Sequence, residues 1–384
     1  MKRLDFIAGL AATPMLLGTA PLAVREPRLG DALVLAGGGA RGAYEAGIVE
    51  ALRRAAGVSD GQPIPGLGVV CGTSIGALNG WFVATAQYSK LANLWHGIAA
   101  ERVFEVKHQF AAATEPHAFI LTKIVQALGL AKGLTTNVQG ILDGANVDRW
   151  IAKHVDPQTP VVVPFCFTVT NLDRVRAELL FRLPSVPTDD QRTAAIKRLR
   201  SSVGFDIAAR VVPDDILQMS LRASATIPVL FDPVVMISPE GDRDRYIDGG
   251  VSDNDPIDVG RALALRVNTV LVDPLNTKRV PYANALSIGV GAFGVAQSRI
   301  LAASLRAAYL ETQGKRLLLR EANTDEQRRF LDAVLDVDLS VIRPLVDLPV
   351  QAVEFDRQDK IDAAYQQGVD DAARGWERYT PSNA

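Results

Sequence analysis

At 384 residues the chain is longer than an average domain, and one elaborated α/β domain fits that length as well as two smaller ones. Apolar residues make up 48% and charged residues 22%, which excludes a disordered or fibrous chain. With 41 basic and 43 acidic side chains the net charge is −2, leaving no basic surplus for a nucleic acid; two cysteines and four histidines are too few and too scattered for a disulfide framework or a zinc site.

The N-terminal stretch MKRLDFIAGLAATPMLLGTAPLAV opens with Lys2 and Arg3 and runs uncharged from Phe6 to Val24. Positive residues followed by an apolar run and small residues describe an export signal, so residues 1–25 read as a signal peptide or apolar leader. The alternative is an apolar tail docked on the fold of a cytoplasmic protein.

Residues 31–36 (DALVLA) read as a buried strand ended by Gly37, Gly38 and Gly39. Ile48, Ala51, Leu52 and Ala55 then fall on one face of a helix over 43–56, with Glu50 and Arg54 able to pair opposite and Gly57 as its stop. A second apolar run, 66–71, breaks at Gly72, and a helical pattern resumes near Ala77, giving a parallel βαβ unit. VVVPFCFTVT (161–170) and TVLVD (269–273) have the β-branched content of central strands, with ELLFRL a weaker strand between them. The polar segment 184–215 reads as an insertion with the position of a lid. Residues 283–328 and 359–379 read as helices. The expected organisation is one catalytic domain over 30–280 with a mainly helical extension over 281–384.

Gly72-Thr73-Ser74-Ile75-Gly76 is a G-x-S-x-G sequence where a strand ends and a helix begins. Such a turn lifts a serine hydroxyl clear of the sheet, with Gly72 and Gly76 giving way where side chains would collide, and the helix N-terminus favours developing negative charge. A serine there can also simply cap the helix. The run Gly37-Gly38-Gly39-Ala40-Arg41-Gly42 matches a dinucleotide fingerprint or supplies amides for an oxyanion hole. The first reading needs a carboxylate after the second strand, and that strand instead runs into Gly72-Thr73-Ser74. Arg41 can pair with Glu45 one turn on or lend charge to the oxyanion.

A nucleophilic serine needs a base. His96, His108, His117 and His154 lie in no strand-end or glycine-rich setting, and His154 reads as a surface residue. Asp248, followed by Gly249 and Gly250, is the better base, although a DG pair can be an ordinary turn and spacing does not separate it from Asp253 or Asp255. A carboxylate base implies a buried apolar pocket, with Ile75, Leu78, Trp81 and Phe82 as candidate wall residues.

GGGARG, GTSIG and DGG, in this order and with SLRASATIPVLFDPV (220–234) leading to DGGVSDNDP (248–256), resemble the patatin-like phospholipase family. The resemblance implies a three-layer α/β/α sandwich with a mostly parallel central sheet and extra C-terminal helices. It implies a lipid acyl hydrolase using a Ser–Asp dyad without histidine, with Ser74 as nucleophile and Asp248 as base. The glycine loop (Gly37, Gly38, Gly39, Gly42) with Arg41 would form the oxyanion hole, the amides of Gly38 and Gly39 foremost. The expected partner is a lipid or ester at a membrane or micelle surface, with no cofactor, no metal and no nucleic acid. Asn171, where the family commonly has aspartate, is a departure. Two readings stand beside it: a non-catalytic lipid-binding protein on the same scaffold, and a dinucleotide-dependent oxidoreductase.

Overall fold

The computed structural model describes residues 29–108, 140–184, 208–273 and 338–380, with residue 123 and parts of 297–327. The N-terminal segment 1–25, His117, most of the 184–215 insertion and the start of the 283–328 stretch lie outside the described residues. Among the described residues, no helix is long and apolar enough to cross a membrane.

In chain order, β1 (Leu29–Leu35) leads through a short 3-10 turn (Gly39–Arg41) into α1 (Gly42–Ala56). There follow β2 (Leu67–Thr73), α2 (Ile75–Ala84), α3 (Tyr88–Gly97) and α4 (Gly144–His154). The chain continues through β3 (Phe165–Asn171), β4 (Arg176–Arg182), β5 (Ala208–Val211) and α5 (Asp214–Ser224). Next come β6 (Val234–Ile237), β7 (Arg243–Asp248), α6 (Ile257–Leu263) and β8 (Ala264–Val270). The last labelled elements are β9 (Asp338–Ile342), α7 (Gln358–Ala372) and β10 (Glu377–Arg378), and residues 300–310 are also helical.

The described strands form one ten-stranded sheet in the order β10-β9-β8-β1-β2-β3-β4-β5, with β6 and β7 branching from β3. Its centre, β9-β8-β1-β2-β3, is parallel, as the apolar runs of β1 and β2 require when both faces are covered. Alternation along β1 sends Leu33 and Leu35 into one core with Trp81 and Phe165, and Ala32 and Val34 into the other with Cys71, Cys166 and Leu305. This is the three-layer α/β/α arrangement with a mostly parallel sheet. Cys71 and Cys166 face each other in register on β2 and β3, both buried and free.

Several elements depart from the periodicity of the sequence. Helix α1 is buried all round over its first half, and Ala55 on the supposed apolar stripe is exposed. The reason is that α7 covers the side turned away from the sheet, tied by a 2.8 Å hydrogen bond from the Tyr44 hydroxyl to Asp371. Glu50 does accept from Arg54, and from Arg53 at 2.6 Å. β2 continues through Gly72 to Thr73 because the ladder to β3 holds it there. β8 begins at Ala264, well before TVLVD, where it pairs on one side with β1 and on the other with β9. The last helix stops at Ala372; the left-handed Gly375 turns the chain so that β10 pairs with β9. The C-terminal part thus adds strands as well as helices to the sheet.

Candidate active site

Three segments of the sheet bring the site together. β2 runs parallel to β3 and ends with Thr73 opposite Thr168. β7 runs antiparallel to the same strand and ends with Asp248 opposite Val169. Approaching along one edge of β3 from opposite directions, the two strands meet end to end. The residue after Thr73 therefore arrives beside Asp248, although 174 positions separate them in sequence.

Ser74 has φ 56° and ψ −123°, a backbone that L-residues adopt only where surrounding structure holds it. The constraint is visible in its neighbours: a Cβ on Gly76 would lie 2.3 Å from the Leu35 carbonyl oxygen, and one on Gly72 would lie 2.3 Å from that of Gly76. The Ser74 amide donates to Ser224 Oγ at 3.0 Å, and that hydroxyl donates to the Thr168 carbonyl at 2.7 Å. The Ser74 hydroxyl makes no helix cap. It donates instead to Asp248 Oδ2 at 2.7 Å, and both side chains are buried.

Asp248 is held from several directions. Its Oδ1 accepts the Gly250 amide at 2.7 Å, its own amide donates to the Thr226 carbonyl at 2.8 Å, and its carbonyl accepts the Thr170 hydroxyl at 2.9 Å. A Cβ on Gly249 would meet the Thr168 carbonyl at 2.3 Å. Burial raises the carboxyl from its ordinary value to about 7, against the opposing pull of the Ser74 and Gly250 hydrogen bonds. Among the described residues the Ser74 hydroxyl bonds to neither competing aspartate. The Asp253 carbonyl receives the Thr73 and Thr168 hydroxyls at 2.9 and 3.2 Å, and Asp255 accepts from the Asn254 side chain at 3.2 Å.

In the glycine loop most amides are already engaged. Gly37 donates to the Asn254 carbonyl at 3.1 Å, Ala40 to the Ala352 carbonyl at 2.8 Å and Arg41 to the Gly38 carbonyl at 3.2 Å, while the Gly42 amide turns back to the carbonyls of Gly39 and Ala40. Only the amides of Gly38 and Gly39 have no acceptor among the described residues, which narrows the loop to two donors. Gly39 is left-handed (φ 58°), and a Cβ there would lie 2.0 Å from the Ala352 carbonyl oxygen. Arg41 does not pair with Glu45: it forms an ion pair with Asp273, and its Nε donates to the Gly38 carbonyl at 3.3 Å. Glu45 is fully buried beneath the loop, accepts from Asn79 Nδ2 at 2.8 Å, and burial pushes its carboxyl well up.

None of the described histidines bonds to Ser74 or Asp248. His96 meets Asp362 at 2.9 Å, and His108 is exposed. His154 is half-buried rather than on the surface, because its ring lies tilted against that of Trp150 at 5.2 Å and faces Glu101. Asn171 is a buried hub of the sheet edge, its Nδ2 donating to Glu178 and Asp244 at 2.9 Å each.

Ser74 and Gly39 open onto a narrow apolar cavity with about 30 Å³ of internal room. Ile75 and Leu78 line it, as expected from sequence; Trp81 and Phe82 do not, Trp81 meeting Phe165 of β3 edge-on and Phe82 lying in the core beneath Lys90 of α3. The remaining wall comes from Phe104, Trp150, Ile227 and Phe355, among others. Spacing could not announce these, since they sit on four separate segments.

The sequence model of a family described as patatin-like phospholipase matches residues 33–260. The crystal structure of VipD from Legionella pneumophila aligns with a TM-score of 0.34 at 12% identity, covering 92% of this chain and 68% of that one. No curated protein matches.

Proposed function

The chain belongs to the patatin-like phospholipase family, and on that premise we propose that it hydrolyses lipid acyl esters through a Ser74–Asp248 dyad. The observation that carries this reading is the 2.7 Å hydrogen bond from the serine hydroxyl to a buried carboxylate. Asp248 takes the Ser74 proton as Oγ attacks the ester carbonyl, and the charge on the carbonyl oxygen is met by the amides of Gly38 and Gly39. The N-terminus of α2 adds its partial positive charge there. As the tetrahedral species collapses, Asp248 passes its proton to the departing alcohol and an acyl-Ser74 ester remains. Water, losing a proton to Asp248, then attacks that ester; the fatty acid leaves and the proton returns to Ser74 Oγ.

Each supporting residue has a part in this scheme. Ser224 fixes the strained turn, so Oγ is already oriented before substrate arrives. Gly250 holds the second oxygen of Asp248, leaving Oδ2 for the proton. Burial raises the basicity of Asp248 to suit a proton transfer near neutral pH. The apolar lining of the cavity suits the acyl carbons nearest the ester, and a lipid–water interface is the natural source of such a substrate. A fluorophosphonate probe tests the scheme: it should label the wild-type protein and leave Ser74→Ala unlabelled, with fatty acids released from mixed lipids by the wild type alone. Labelling of Ser74→Ala to the same extent would overturn the assignment.

A further inference from the structure

The family match ends at residue 260, yet a segment some ninety positions further on reaches the site. Its backbone and one side chain both make contact there. The Ala352 carbonyl accepts the Ala40 amide at 2.8 Å and lies directly under Gly39. Three residues later the Phe355 ring enters the cavity that Ser74 and Gly39 line.

The segment is firmly held. Gln351 donates its amide to Glu354 Oε2 at 2.8 Å, and Glu354, itself buried, takes an ion pair from Lys360 at 2.7 Å. Phe355 is tilted against Phe104 with centroids 4.3 Å apart, and stacks on Trp95 at 6.2 Å. Phe104 in turn meets Phe231 edge-on at 5.2 Å. These rings leave a cavity of only about 30 Å³, room for a water or two and not for a long acyl chain.

We infer that the segment 351–355 completes the site, the Ala352 carbonyl positioning the glycine loop and the Phe355 ring limiting the length of acyl chain that is accepted. Phe355 is thus a specificity-determining residue for the hydrolysis proposed above, on which this inference rests. An acyl group longer than the cavity is accommodated only by displacing aromatic rings that pack on one another, so the cost rises with chain length.

The test compares p-nitrophenyl butyrate with p-nitrophenyl palmitate, using the full chain. Phe355→Ala should raise the palmitate-to-butyrate ratio of kcat/KM by about tenfold or more, and Phe355→Leu by less, whereas Phe355→Trp should lower it. Fluorophosphonate labelling of each variant shows that the nucleophile is intact, and Phe355→Leu keeps the test open where the alanine variant fails to fold. Unchanged ratios in labelled, folded variants would overturn the inference while leaving the dyad standing. Turnover by Ser74→Ala equal to the wild type would instead overturn the dyad and leave the chain-length result to be read on its own.

Discussion

The two turns that meet at the site are built differently. The Ser74 turn is strained by a positive φ at a non-glycine residue; its flanking Gly72 and Gly76, like Gly249 beside Asp248, are pressed against backbone oxygens. The Asp248 turn has an unremarkable backbone, φ −46° and ψ 131°, and is held by hydrogen bonds that it accepts from Gly250 and Thr170 and donates to the Thr226 carbonyl, residues on both sides of it in sequence. A nucleophile must stand clear of its own strand, which needs unusual backbone geometry and hence local glycines. A base needs only to be delivered to a buried place and kept there, which neighbouring strands can do.

The sharpest way to break this comparison is at the two side chains of the proposed dyad. Ser74→Ala and Asp248→Asn should each reduce kcat on a short p-nitrophenyl ester by about 10⁴–10⁶-fold, with circular dichroism unchanged. Near-equal losses are expected because neither group acts without the other.

The next effect is on stability. Gly76→Ala drives a Cβ into a backbone carbonyl at 2.3 Å, whereas at Gly250 the nearest groups are the side-chain ends of Asn254 and Gln297, at 2.6 and 2.7 Å, which can give way. Gly76→Ala should cost roughly 3 kcal/mol in denaturant unfolding and Gly250→Ala roughly 1 kcal/mol. Equal costs would mean that the Asn254 and Gln297 side chains are held as firmly as the Leu35 carbonyl.

Titration separates the turns further. A carboxyl raised to about 7 by burial contributes its full stabilisation below its unfolded value near 3.8 and loses it as pH rises through about 7. Asp248→Asn should therefore unfold at higher denaturant than the wild type at pH 8, by roughly 2–4 kcal/mol, with the difference vanishing near pH 4. Activity runs the other way: only ionised Asp248 accepts the Ser74 proton, so kcat/KM should climb with pH through about 7 and then level off. Asp255, likewise buried and raised to about 7, adds to the stability slope and should leave the activity limb in place.

The smallest effect concerns Ser224, which ties the Ser74 turn to β3, its hydroxyl joining the Ser74 amide to the Thr168 carbonyl. Ser224→Ala leaves that amide without its acceptor and should cost about 1–3 kcal/mol of stability. The expected kinetic signature is a fall in kcat of about tenfold or less with KM unchanged, since the substrate is not touched.

Much of the site was legible in the chain because strain is local. A positive φ at Ser74 and a left-handed Gly39 demand glycines nearby, and glycines in a row stand out from any composition. Asp248 was legible as a candidate, but Asp253 and Asp255 were equally so. What separates them is the head-to-head approach of β2 and β7 along β3, which no spacing expresses. The cavity wall was half legible: Ile75 and Leu78 follow the nucleophile directly, whereas Trp81 and Phe82 satisfy the same helical period and belong to the core. The face of α1 departs from its apolar stripe for a related reason, since a stripe implies one covered side and α7 covers a second.

By itself the sequence determined the α/β class, the order of the first strands and helices, and the three motifs, because apolar periodicity and glycine placement are dictated by short-range geometry. Only the tertiary structure decided which aspartate meets the serine, which loop amides remain unpaired, where Arg41 goes, and that residues 351–355 close the site. Those outcomes depend on which distant segments occupy the same volume, and that is fixed by the packing of the whole sheet and its helices.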